Sequence, residues 1–185
     1  MISPFQIIDG QADSRVLLVC DHASQAIPPS LGTLGLSQDQ LDSHVAWDIG
    51  AAAVTRVLTR KWGAHGVLAG VSRLVVDCNR AAGTAGWIPA ETCGVIVPGN
   101  QGLSKLDIET RKNNWYTPYH QAVAQTIASL DQPVVLALHS FTPVMDGTSR
   151  PWHVGVLWNR DGRLALPTLE GLRNLEAVEV GDNQP

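Results

Sequence analysis

Charges and cysteines are scarce in this sequence, and each scarcity bears on the class of protein. Charged residues make up 16% of the 185 positions against 44% hydrophobic, the reverse of the balance that keeps a chain disordered. The 13 basic residues are outnumbered by 17 acidic ones and form no tract, so nucleic acid is not expected as a partner. No run of about 18 apolar residues occurs, so no membrane span is expected. The segment Met1 to Arg15 lacks the basic and apolar regions of a secretion signal. The three cysteines, Cys20, Cys78 and Cys93, form no C-x-x-C pair. Cys20 and Cys78 lie in apolar runs and read as reduced core thiols of a cytoplasmic protein. The glycine-rich stretch Gly94–Gly102 contains neither phosphate-cradling pattern. No G-x-S-x-G elbow surrounds Ser24 or Ser140.

What the sequence does contain is an alternation of short apolar runs and longer helical stretches, long enough for one domain over residues 1–185. Arg15–Cys20, Pro133–Leu138 and His153–Trp158 read as strands, Val67–Asp77 as one or two strands, and Leu175–Val180 as a weaker one. A capping box at Ser37 and Gln40 predicts a helix running to about Trp62 and stopping at Gly63. Its apolar face would carry Leu41, Val45, Ala52, Val54 and Leu58. A second helical region spans Ser104 to Leu130, with Thr117 expected to cap a new helix that begins at Pro118. Strands alternating with helices predict an α/β fold with a mixed, largely parallel central sheet flanked by helices. The stretch Ala81–Gly102 is long for a connection, and long ordered loops are often functional.

In open α/β sheets ligands bind beyond the carboxyl ends of strands, and three polar motifs fall there: Asp21-His22, Asp77-Cys78-Asn79-Arg80 and His139-Ser140. Two histidines and a carboxylate at one edge suit zinc, which leaves a position for water in catalytic sites. His22 and His139 are the natural pair, with Asp21, Asp48 and Asp146 as carboxylate candidates. Arg73 and Arg80 at the two ends of a strand would line an anion site, with Asn79 adding an amide hydrogen bond; an Arg80–Asp77 ion pair is the plainer alternative. His120, in Tyr116-Thr-Pro-Tyr-His120, either contacts a ligand or packs against Tyr116. His44 and Asp48 would share a helix face one turn apart. His65 is expected in a surface turn, and His153 begins a strand.

Taken together, these motifs resemble the N-formylglutamate amidohydrolase family. The resemblance is carried by CDHASQAIP (Cys20–Pro28), WDIGA (Trp47–Ala51) and SRLVVDCNR (Ser72–Arg80). It continues in IPAETCGVIVPGNQGLS (Ile88–Ser104), YTPYH (Tyr116–His120), LALHSFTPVMDG (Leu136–Gly147) and RPWHVGVLWNRDG (Arg150–Gly162). It implies kinship with zinc carboxypeptidases and aspartoacylase-type deacylases, and hence a phosphorylase/hydrolase-like fold. It further implies a zinc cofactor held by His22 and His139, and hydrolysis of a small acidic N-acyl amino acid such as N-formylglutamate. Asn79 and Arg80 would bind the substrate carboxylate, Arg73 would polarise the scissile carbonyl, and His120 is counted among the substrate-binding residues.

Two departures from that pattern bear on the chemistry. The relatives carry a zinc-binding glutamate three residues after the first histidine, where this chain has Gln25; Asp48 is therefore expected as the carboxylate ligand. The family usually continues past a segment like Gly181–Pro185, and its downstream part carries further sheet and a general-base glutamate; neither Glu176 nor Glu179 is assigned that role. The alternatives are a non-catalytic small-anion-binding protein, and a metal-free serine hydrolase using Ser140. Metal content separates the first from the zinc hydrolase, and labelling by a serine-directed phosphonate identifies the second.

Overall fold

A computed structural model describes residues 2–145 and 147–184. Asp146, one of the three carboxylate candidates, lies outside the described residues. The chain divides into two compact units, Met1–Phe141 and Thr142–Pro185.

The first unit is built on strands β1 (Phe5–Ile8), β2 (Val16–Cys20) and β3 (His65–Ala69), a small hairpin β4 (Glu91–Thr92) and β5 (Val95–Ile96), and β6 (Val134–Ala137). Its helices are α1 (Gln38–Asp42), α2 (Ala51–Trp62), α3 (Lys105–Arg111) and α4 (Thr117–Ser129). The main sheet has the order β1-β3-β2-β6. β2 runs parallel to both β3 and β6, while β1 lies antiparallel to β3. The sheet is therefore mixed and largely parallel, as expected. The chain passes from β2 to β3 through α2, then crosses to the other side of β2 through α4. That reversal puts a switch point at the carboxyl ends of β2 and β6, where such sheets leave a crevice for ligands.

Period-two alternation explains why both sheet faces are buried. Leu17, Val19, Val67 and Ala69 pack with Tyr119, Ala122 and Val123 of α4. Cys20 and Leu68 pack on the opposite side with Ala51 and Ala52 of α2. Each fully buried leucine or valine contributes about 1.5–3 kcal/mol. A third cluster, including Leu34, Leu74, Val75, Val76, Trp87, Val97 and Trp115, lies under the long connections.

Several sequence-based expectations need correction. The Ser37 capping box is present, but α1 ends at Asp42 and the chain turns until Gly50, which adopts φ 84° before α2. His44 and Asp48 therefore do not share a helix. The buried residues of α2 are Ala51, Thr55 and Thr59, while Val54 is 51% exposed. The Thr55 hydroxyl is tolerated inside because it donates to the Ala51 carbonyl. In the Val67–Asp77 run only residues 67–69, the end of β3, are strand. Val71–Val76 is apolar because it turns into the third cluster, with the Ser72 hydroxyl bridging Ala46 O and Leu74 N. Arg73 and Arg80 accordingly do not mark strand ends. Pro118 does not start a separate helix: Lys112–Tyr116 forms a π-helical turn that leads directly into α4. The wider turn accommodates a residue without an N–H. His65 is the first residue of β3, and its Nδ1 accepts from Gly10 N–H. β1 was not anticipated; its approach requires Gly70, where a Cβ would overlap the Ser3 carbonyl oxygen.

The second unit contains β7 (Val144–Met145), β8 (Thr148–Ser149), β9 (Val154–Val156), α5 (Ala165–Arg173) and β10 (Val180–Asp182). β9 and β10 pair in parallel, so the Leu175–Val180 expectation is displaced toward Asp182. His153 Nδ1 accepts from Glu179 N–H. Among the described residues no helix is long and apolar enough to cross a membrane.

Candidate metal and amide-hydrolysis site

The first unit brings together residues far apart in sequence at the switch point. His22 follows β2 and His139 follows β6. Asp48 comes from the turn before α2, where its N–H donates to the His22 carbonyl. His22 Nδ1 lies 3.3 Å from Asp48 Oδ1, and His139 Nδ1 lies 2.8 Å from Asp48 Oδ2. One donor atom from each of the three residues falls within a 4.8 Å cluster.

The opposite ring nitrogens are also engaged. His22 Nε2 is 2.8 Å from Asp77 Oδ1, and His139 Nε2 is 3.3 Å from Asp21 Oδ2. Asp77 also accepts from Asn79 N–H at 2.8 Å and from Arg73 at 3.3 Å. Asp21 accepts the Tyr119 hydroxyl at 2.7 Å. The guanidinium that pairs with Asp77 is that of Arg73, four residues upstream, where the sequence offers an Arg80–Asp77 pair as the plainer alternative to an anion site. Gln25 is exposed and donates to Asp42, so its side chain contacts a surface aspartate and not the cluster.

Burial and pairing oppose one another throughout the cluster. Burial raises the pKa of Asp48, Asp21 and Asp77, yet their imidazole contacts more than reverse this, and all three are lowered. For His139 the contacts with Asp21 and Asp48 dominate and raise its pKa to about 9. Burial lowers that of His22, but Asp48 and Asp77 raise it overall. With both imidazoles protonated, the three carboxylates face three positive charges, the third being Arg73. One divalent cation in place of two imidazole protons leaves this balance unchanged. The donor set itself suits such an ion: His22 Nδ1 is a buried nitrogen that makes no well-aligned hydrogen bond, its contact with Asp48 Oδ1 being a 3.3 Å ion-pair approach. Metal-bound histidines commonly hold their other nitrogen against a carboxylate, as both rings do here.

A cavity of about 250 Å³ adjoins the cluster, lined in part by Arg73, Asp77, Arg80, Gly86, Glu91 and Thr92. Asn79 and Arg80 are exposed, and the Arg80 carbonyl accepts the Tyr116 hydroxyl at 2.9 Å. His120 stacks at 4.3 Å on Tyr116, and burial lowers its pKa. Behind the cavity, the buried Arg111 guanidinium donates to Val75 O, Gly99 O and Asn100 Oδ1, while the Asn100 amide donates to Leu74 O and Pro89 O. This polar hub ties the Asp77 segment to the long connection. Asp21, Tyr119, Arg111 and Asn100 were not assigned such roles from sequence. The detectable signal for Tyr119 is its place on the buried stripe Trp115, Tyr119, Ala122, because a buried phenol hydroxyl requires a partner.

The serines offer less. Ser24 Oγ accepts from Ala26 N–H, and Ser140 N–H donates to Asp48. Burial pushes the Cys20 thiol up to about 11 and the Cys78 thiol higher still, so both are poor nucleophiles.

A model of the N-formylglutamate amidohydrolase family matches residues 14–185. The crystal structure of gene product Atu2144 from Agrobacterium tumefaciens is similar at 39% identity and a TM-score of 0.92, over 99% of this chain and 74% of that one. N-formylglutamate amidohydrolase from Ralstonia eutropha JMP134 shares the fold at 20% identity and a TM-score of 0.78, over 98% of this chain and 76% of that one. No curated protein matches the chain.

Proposed function

The chain belongs to the N-formylglutamate amidohydrolase family, and from that premise we propose that it is a zinc-dependent hydrolase of the amide bond in a small acidic N-acyl amino acid, N-formylglutamate or a close analogue. The observation that carries this reading is the convergence of His22, Asp48 and His139 within 4.8 Å, beside a cavity bordered by Arg73 and Arg80.

His22, Asp48 and His139 would hold the ion. A zinc ion bound there would lower the pKa of water to near ~7 and polarise a carbonyl. Asp77 and Asp21 keep the imidazole Nε2 atoms occupied, leaving the Nδ1 atoms free to face Asp48. Arg73 lies between this cluster and the cavity, and supplies positive charge where the scissile carbonyl oxygen gains negative charge. Arg80, which lines the cavity, and its exposed neighbour Asn79 would bind the substrate carboxylate, fixing the acyl group by its far end. His120 is assigned to the substrate side through Tyr116, whose ring it contacts and whose hydroxyl donates to the Arg80 carbonyl. A cavity of about 250 Å³ falls below the usual ~300–1,000 Å³ of drug-sized pockets, which favours an amino-acid-sized substrate. The reading places the enzyme in the cytoplasm, among small metabolites.

The test is hydrolysis of a panel of N-acyl amino acids by the purified chain with zinc added. N-formylglutamate or a close analogue should be cleaved. His139→Ala should lower kcat/KM by more than the ~100-fold that loss of an outer partner of a ligand can cost. No cleavage across the panel, or unchanged activity in His139→Ala, would refute the proposal.

A further inference from the structure

His139 is the less enclosed of the two imidazoles, with 31% of its side chain accessible. Packing alone does not fix such a ring, so its orientation depends on hydrogen bonds. Asp21 contacts Nε2 through Oδ2 at 3.3 Å and accepts the Tyr119 hydroxyl through Oδ1 at 2.7 Å. Both carboxylate oxygens of Asp21 are thus committed, one to the ring and one to the phenol. Tyr119 is 1% exposed and sits on α4 against Leu17, Val19 and Val67. Its ring is therefore immobilised by the core of the sheet, and its hydroxyl points out of that core at a single acceptor.

We infer that Asp21, locked by Tyr119, is the positioning residue that sets the tautomer and orientation of His139. It holds the proton on Nε2 and so presents a bare Nδ1 to the point that Asp48 and His22 Nδ1 also face. The inference rests on the metal reading of the site. Its physical content is a relay from the sheet core to a ring on a surface loop: helix α4 fixes the phenol, the phenol fixes the carboxylate, and the carboxylate fixes the imidazole. Neither Asp21 nor Tyr119 touches substrate in this scheme; both act through His139.

Zinc affinity, measured on the full chain by competition with a chromogenic chelator, tests the relay together with long-range ¹H–¹⁵N imidazole spectra. The zinc-loaded protein should show His139 as the Nε2–H tautomer. Asp21→Asn should weaken zinc binding by roughly 10–100-fold. Tyr119→Phe should weaken it by roughly 3–10-fold, the scale of one ordinary hydrogen bond, because the phenol acts on the ligand only through Asp21. Adding Tyr119→Phe to Asp21→Asn should cost less than twofold more, because the phenol acts through Asp21. Tyr119→Phe preserves the core, so its affinity and the His139 tautomer decide the matter even if Asp21→Asn does not fold. Wild-type affinity in both variants, or an Nδ1–H tautomer at His139, would overturn the inference while leaving the metal site standing. A wild-type chain that binds no zinc would remove the metal reading and the relay together.

Discussion

His22 and His139 each turn Nδ1 toward Asp48 and Nε2 toward a second aspartate, yet one sits in the protein interior and the other at its surface. The His22 side chain is 4% accessible and that of His139 31%. On the His22 side, Asp77 is held by the Asn79 N–H and Arg73, and the segment that carries it is tied down by Arg111. On the His139 side, support comes from Asp21, Tyr119 and the Ser140 N–H on Asp48. The difference teaches that chemically similar arms are secured by different means. One is rigid because it is enclosed; the other is oriented mainly by hydrogen bonds, on the side open to solvent.

The largest test of that contrast is stability in the absence of metal. Asp77→Ala removes one of the two carboxylates that buried His22 and part-buried Arg73 share, leaving only Asp48, and should cost about 3–5 kcal/mol in urea unfolding. Asp21→Ala should cost about 1–3 kcal/mol, because the His139 ring can reach water. Equal losses would break the comparison.

A smaller effect should appear in the pH dependence of the metal-free protein. The folded pKa of His139 is raised to about 9, above an unfolded value near ~6.5. Its contribution is therefore full below about pH 6.5 and is lost as pH rises through about 9. Asp48, Asp21 and Asp77 are lowered, so their contribution is present above about pH 4 and lost as pH falls. Thermal unfolding of the metal-free chain should peak between these limits. In His139→Asn the alkaline decline should shrink, and an unchanged decline would remove His139 as its source.

Much of the fold is legible in local sequence because burial leaves periodic marks. The apolar runs of β2 and β6, the capping box at Ser37, the helix start at Ser104, and Gly63 at the end of α2 are all read from short windows. Val71–Val76 is not, since a short apolar run is the same whether it lies in a sheet or turns into a loop-covered cluster. Pro118 misleads because the π turn that accommodates it has no local signature. At the site, the sequence nominated His22, Asp48 and His139, whose donor atoms the fold gathers. The Tyr119–Asp21 contact spans 98 positions, and no local pattern encodes a partner at that distance. Asp77 was visible as a motif residue, but its pairing with His22 and Arg73 depends on how the segment turns.

The central claim is that one divalent ion replaces imidazole protons among His22, Asp48 and His139. Calorimetric titration of zinc into the metal-free full chain near pH 7, repeated in buffers of different ionisation enthalpy, tests it directly. The account predicts one zinc per chain, release of on the order of one to two protons, and loss of binding in His22→Ala and His139→Ala. Absence of binding, or binding that survives both substitutions, would contradict it.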